Sequence, residues 1–282
     1  MCLKRMKNAK FNLNVSACFF YIILIVSFFF ISLLDRGFNT TDESYSLLYS
    51  LYNKDVIGKI TNFGLIGNIL LVIVNFDLYW YRILGFFLIL VCSLISLKCL
   101  FIFYKSKNFD IFSDKYLFYS LVIAGSLCFY RFWVVTPSYN LFNFCGALIF
   151  LSGLLIFLDN STILKNYKSI VLISSGLLIC FISKPSTSIF LSITLLFWFF
   201  FMHRESFLKF IIFLSLFGVL TFFSYVFLNF KSLSFFLDDF FLGYELKKSL
   251  DPRYNFFILF IFTIKYIVKD IVNNWFLLLL QL

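Results

Sequence analysis

The chain has 282 residues, 62% of them hydrophobic and only 13% charged, with a mean hydropathy of +0.96. A soluble core cannot absorb that much apolar surface, so the composition excludes an ordinary water-soluble domain and predicts an all-α, polytopic transmembrane protein. The formal net charge of +10 does not point to nucleic acid, because Lys and Arg gather between apolar runs, where they act as topology signals.

Lys4, Arg5, Lys7 and Lys10 precede an apolar run from Val15 to Leu34. The run is longer than a signal-peptide core and no small-x-small cleavage site follows it. It predicts an uncleaved first membrane helix with a cytoplasmic N-terminus. Residues 35–80 then form a first outer loop. Asp42 to Tyr52 reads as a short amphipathic helix with Tyr45, Leu48 and Tyr52 on one face. Thr40 or Thr41 is its expected N-cap, and Asp42 and Glu43 occupy the favourable first turn. Leu65 to Val74 is apolar but too short to span, which suits a second interfacial helix. Tyr79, Trp80 and Tyr81 form an expected aromatic belt.

Further apolar runs follow at Ile83–Phe103, Leu117–Val135, Leu141–Leu158, Ile170–Ile182, Ile189–Met202, Phe210–Phe230 and Phe256–Val268. With the first run they predict about eight spans in a single integral membrane domain, 1–282. Residues 230–254 read as a polar outer loop holding Asp238 and Asp239. The apolar stretch from Trp275 stops at Leu282, so a short or truncated chain is expected.

The seven cysteines include no CxxC and no Cys/His pairing; most lie in apolar runs, where Cys behaves as a small hydrophobe. The single histidine, His203, lies in a short basic segment and flanks a span. No Gly-rich phosphate loop and no internal repeat are present. No cofactor follows from the residues, and they leave a divalent metal undetermined.

Three polar clusters are placed at the outer ends of different helices: Asp42-Glu43, the segment from Arg131 to Tyr139-Asn140, and Lys184-Pro185. A carboxylate beside a membrane-facing site can act as general base toward an acceptor hydroxyl or amine. Lys or Arg nearby can hold a lipid-linked phosphate and stabilise it as a leaving group. Each residue also has a plainer reading. Asp42 and Glu43 can charge a helix N-terminus, Lys184 can snorkel to the interface, Arg82 can anchor there, and Tyr139-Asn140 can cap the next helix. Asp238-Asp239 reads as solvated loop.

The order of these features is similar to that of the GT-C superfamily of integral membrane glycosyltransferases. A first membrane helix leads to an outer loop with Asp42-Glu43 and Tyr45, then two interfacial helices, then Arg82 before the second span. The branch it most resembles contains the protein O-mannosyltransferases and the bacterial aminoarabinose transferases of lipid A. Gly176 to Pro185 resembles a Gly-Leu…Lys pattern of that family at a later outer helix end. The resemblance covers roughly residues 15–200. It implies a GT-C-like module in which Asp42 is the catalytic base, with Glu43 beside it, and Lys184 contacts the lipid phosphate. Tyr45, Arg82, Arg131, Tyr139 and Asn140 complete the expected substrate-binding set. Asn140 stands near where the family pattern has a second acid, and the resemblance is not expected to extend to the family's later helices and C-terminal domain within residues 1–282.

The implied reaction moves a sugar from a polyprenyl-phosphate donor to a glycan, lipid or protein acceptor at the outer face of the cytoplasmic (inner) membrane. The expected partners are the bilayer, that donor and that acceptor, with no nucleic acid. The alternative is a transporter or flippase of a lipid-linked or small substrate, or an inactive fragment of a transferase. A transporter is expected to show repeats and charges near the bilayer midplane; here the charges lie at helix ends.

Overall fold

The computed structural model describes residues 23, 27, 42–53, 61–106, 115–131, 136–159, 167–202, 207–230 and 232–250. Every regular element among them is a helix. The expected first span, the Thr40/Thr41 cap, His203 and the apolar runs at 256–268 and 275–282 lie outside the described residues. In chain order the helices are α1 (Asp42–Leu51), α2 (Phe63–Ile73), α3 (Leu78–Ser106), α4 (Lys115–Leu127) with a 3-10 turn at Cys128–Arg131, α5 (Tyr139–Asp159), α6 (Tyr167–Ser183), α7 (Pro185–Met202), α8 (Phe207–Phe230) and α9 (Leu233–Leu250). They fall into two compact units, the first holding α1 to α8 up to Asn229 and the second holding Phe230 and α9.

Local chemistry sets several of these boundaries. Val74 and Phe76 close the end of α2 by donating to Leu70 and Leu71 carbonyls. Asn75 and Phe76 take positive φ of 51° and 63°, a conformation that Asn tolerates and Phe rarely adopts. Asp77 then caps α3, its Oδ1 accepting from the Trp80 amide at 3.0 Å. That cap starts α3 at Leu78, five residues before the expected Ile83, so Tyr79, Trp80, Tyr81 and Arg82 belong to its first turns; Tyr79 and Trp80 are exposed, but Tyr81, expected in the same aromatic belt, is fully buried. Pro185 opens α7 at the first helical position, where its missing N–H costs nothing.

By length and composition α3 and the Tyr139–Leu158 stretch of α5 are able to cross a membrane; α2, α6 and parts of α7 and α8 are apolar but shorter. At about 1.5 Å per residue, the 29 residues of α3 extend about 43 Å, beyond the roughly 30 Å of a hydrocarbon core.

The first unit is built on α3, α5 and α6. The α5–α6 contact is close because small residues line it. A methyl added at Gly176 would lie 2.7 Å from the Gly146 carbonyl oxygen, and one at Gly153 would lie 2.7 Å from the Ile173 amide nitrogen. Ser169 donates across the same contact to the Gly153 carbonyl at 2.7 Å. Between α3 and α5, Ser96 bonds the Leu148 carbonyl at 2.7 Å and the Ser152 hydroxyl at 2.9 Å. Meanwhile Phe87, Val91, Leu94, Ile95 and Ile102 of α3 are exposed and Ser93 and Ser96 are buried. Small polar residues inside and large apolar ones outside suit helices packed in lipid.

In the second unit the expected polar loop 230–254 is helical over Leu233–Leu250. Ser232 caps it, accepting from the Phe235 amide at 3.3 Å. Phe236 packs against Phe230 at 5.2 Å and Phe240 at 6.2 Å. Asp238 and Glu245 are exposed and Asp239 is half-buried. Charges that suggested a loop therefore decorate a helix held by a phenylalanine stripe.

Candidate functional site

Helix α1 buries its polar side. Glu43, Ser46, Tyr49 and Ser50 are buried, while Tyr45, Leu48 and Tyr52 are more than half exposed. The amphipathic face expected from the sequence is present, and it points outward. This is the reverse of a surface helix in water.

Glu43 is the anchor of the buried side. Its Oε1 accepts from Arg82 Nη2 at 2.8 Å and Nε at 3.0 Å. The Thr136 hydroxyl also donates to that oxygen and accepts from Arg82 Nε at 3.2 Å. Glu43, Arg82 and Thr136 are only 4%, 3% and 0% exposed. A buried charge is tolerated when paired and hydrogen-bonded, and this triad does both. It joins α1, α3 and the turn before α5. Gly85, one turn past Arg82, makes the approach possible, since a methyl there would meet the Pro137 ring at 2.8 Å.

A second set of hydroxyls extends the join. The Tyr81 hydroxyl lies 3.4 Å from the Ser50 hydroxyl and 3.4 Å from the Pro137 carbonyl, and Asn68 donates to the Ser50 carbonyl at 3.0 Å. The rings of Tyr45, Tyr49, Phe63 and Tyr139 cluster beside it, with Tyr49 stacked on Phe63 at 4.6 Å and Tyr139 5.7 Å from Phe63. Tyr45 is more than half exposed, and desolvation of its packed part, then the nearby Tyr139 phenol, raises its pKa above the usual value.

Lys184 is brought to the same end of the bundle through the α1–α2 connection. The Tyr49 hydroxyl donates to the Thr61 carbonyl. The next residue, Asn62, donates from its amide to the Ile182 carbonyl at 2.8 Å and from its side chain to the Tyr225 hydroxyl at 2.9 Å. Lys184 follows two residues after Ile182, between α6 and α7. Its side chain is exposed, and its ammonium has no ion-pair partner among the described residues.

The expected residues therefore divide. Asp42 is exposed at the first position of α1, and Tyr45 is exposed one turn on. Arg82, expected as an interface anchor or phosphate contact, is instead sealed against Glu43. Glu43, expected with Asp42 as a catalytic carboxylate, is instead that pair's buried member, closed off from any substrate by Arg82 and Thr136. Tyr139 and Asn140, expected in a turn, are the first half-buried residues of α5. Arg131 closes the 3-10 turn, and its side chain lies outside the described residues. Thr136, Asn62, Tyr81 and Tyr225 were not among the expected site residues, although Glu43, Ser46 and Ser50 at helical spacing mark a polar face in need of partners. Among the described residues no group of three His, Cys, Asp or Glu is placed to hold a metal ion. No family model, curated protein or solved structure matches the chain.

Proposed function

We propose that the chain is an integral membrane glycosyltransferase of GT-C type. It takes a sugar from a polyprenyl-phosphate donor at the outer face of the cytoplasmic membrane and delivers it to a glycan, lipid or protein acceptor. The observation that carries this reading is the split between two adjacent carboxylates. Glu43 is locked in a buried ion pair, and Asp42 is left exposed at the head of the same helix. Of the two, only Asp42 is accessible to an acceptor.

In this reading Asp42 is the general base toward the acceptor, and Lys184, with Arg131, holds the donor phosphate. Glu43 and Arg82 are structural. A lipid phosphate as leaving group needs charge stabilisation but no nucleotide loop. Tyr45, Leu48 and Tyr52 extend from Asp42 as an apolar, exposed stripe, which suits a site working against lipid. Within α5, α6 and α7 the described residues carry charge only in a first or last turn, which favours this over a transporter. Removing a positioned base costs about 100- to 10,000-fold in rate, so Asp42→Asn is expected to lose sugar transfer on that scale while retaining the fold. Full activity of Asp42→Asn in a lipid-linked sugar transfer assay would sink the proposal.

A further inference from the structure

We infer that Thr136 is a positioning residue for Asp42, acting through Glu43 and Arg82. The role assigned to Asp42 rests on the transferase reading; the latch itself rests on geometry. Thr136 touches both members of the ion pair, donating to Glu43 Oε1 and accepting from Arg82 Nε at 3.2 Å. It is fully buried. Pro137 biases it toward an extended backbone, and Gly85 lets that proline seat against α3. The backbone of Asp42 is bonded directly to that of Glu43, so whatever holds Glu43 sets where Asp42 is presented. Misplacing a reacting group by about 1 Å costs on the order of 100-fold in rate.

The test compares Thr136→Val, which keeps the shape and removes the hydroxyl, with Thr136→Ser, which restores it. Purified wild type and both variants are assayed for polyprenyl-phosphate binding, for sugar-transfer kcat and KM, and for amide hydrogen exchange. Thr136→Val is expected to bind donor within about twofold of wild type and to keep its KM, with kcat lowered about 10- to 100-fold. Amides of residues 42–51 should exchange at least several-fold faster, on the order of local opening, while those of α5 and α6 stay unchanged. Thr136→Ser should reverse both effects. Unchanged kcat and exchange in Thr136→Val, failure of Thr136→Ser to rescue, or faster exchange throughout the bundle would each overturn the inference. If wild type neither binds donor nor transfers sugar, the transferase reading fails and exchange alone judges the latch. Local loosening at 42–51 reversed by Thr136→Ser then supports it, and any other pattern overturns it.

Discussion

Glu43 and Arg82 lie far apart in sequence and meet through two charge-assisted hydrogen bonds at 2.8 and 3.0 Å. Breaking a buried pair by removing one partner typically costs about 3–5 kcal/mol, because the survivor is left charged and desolvated. Glu43→Leu and Arg82→Met are each expected to destabilise on that scale. The double variant should lose clearly less than their sum, measured by denaturant titration in mixed micelles; additive losses would mean that the two groups are not coupled. The pairing was not legible in the sequence. Asp42 and Glu43 are chemically alike, and only the phase of α1 turns one outward and the other inward. That phase was readable, since Tyr45, Leu48 and Tyr52 mark one face. Which face meets the protein depends on the surrounding solvent, and Thr136 carries no signal until the turn before α5 is placed on Gly85.

At the scale of elements, the apolar runs located α3 and α5 to α8 to within a few residues, because nothing but a helix satisfies the backbone along such runs in lipid. Ends were less legible where a single polar residue decides them, as Asp77 does for α3. The stretch from Leu233 to Leu250 misled because its charges resemble those of a loop, whereas Phe236 and Phe240, four residues apart, pack on one side of a helix. The glycines of the α5–α6 contact carry the sharpest consequence. Gly153→Leu forces a side chain into backbone 2.7–2.8 Å from its first carbon. It is expected to cost more than the 1–3 kcal/mol typical of about one or two added methylenes and to broaden the size-exclusion profile. Gly125→Ala, with nothing within 4 Å, should leave the melting temperature the same or slightly higher. Equal effects at the two positions would contradict the close packing of α5 on α6.

For the whole molecule, the exposed residues of α3 suggest how it would lie in a bilayer. Trp80 and Lys98 are both exposed and lie about five turns, or about 27 Å, apart. An aromatic at one end and a lysine at the other, at this separation, match the two boundaries of a hydrocarbon core. Asp42 and Tyr45 lie on α1, whose Glu43 is paired with Arg82 two residues after Trp80, and the α1–α2 connection bonds Ile182 near Lys184; in the proposed reading this is the end where a polyprenyl phosphate is met. The most direct test of the account is equilibrium binding of a polyprenyl phosphate to purified wild type, Lys184→Ala and Asp42→Asn. The account predicts saturable binding by wild type, unchanged binding by Asp42→Asn, and at least about tenfold weaker binding by Lys184→Ala, the scale of one charge-assisted contact. Absence of saturable binding in all three, or equal affinity in all three, would contradict it.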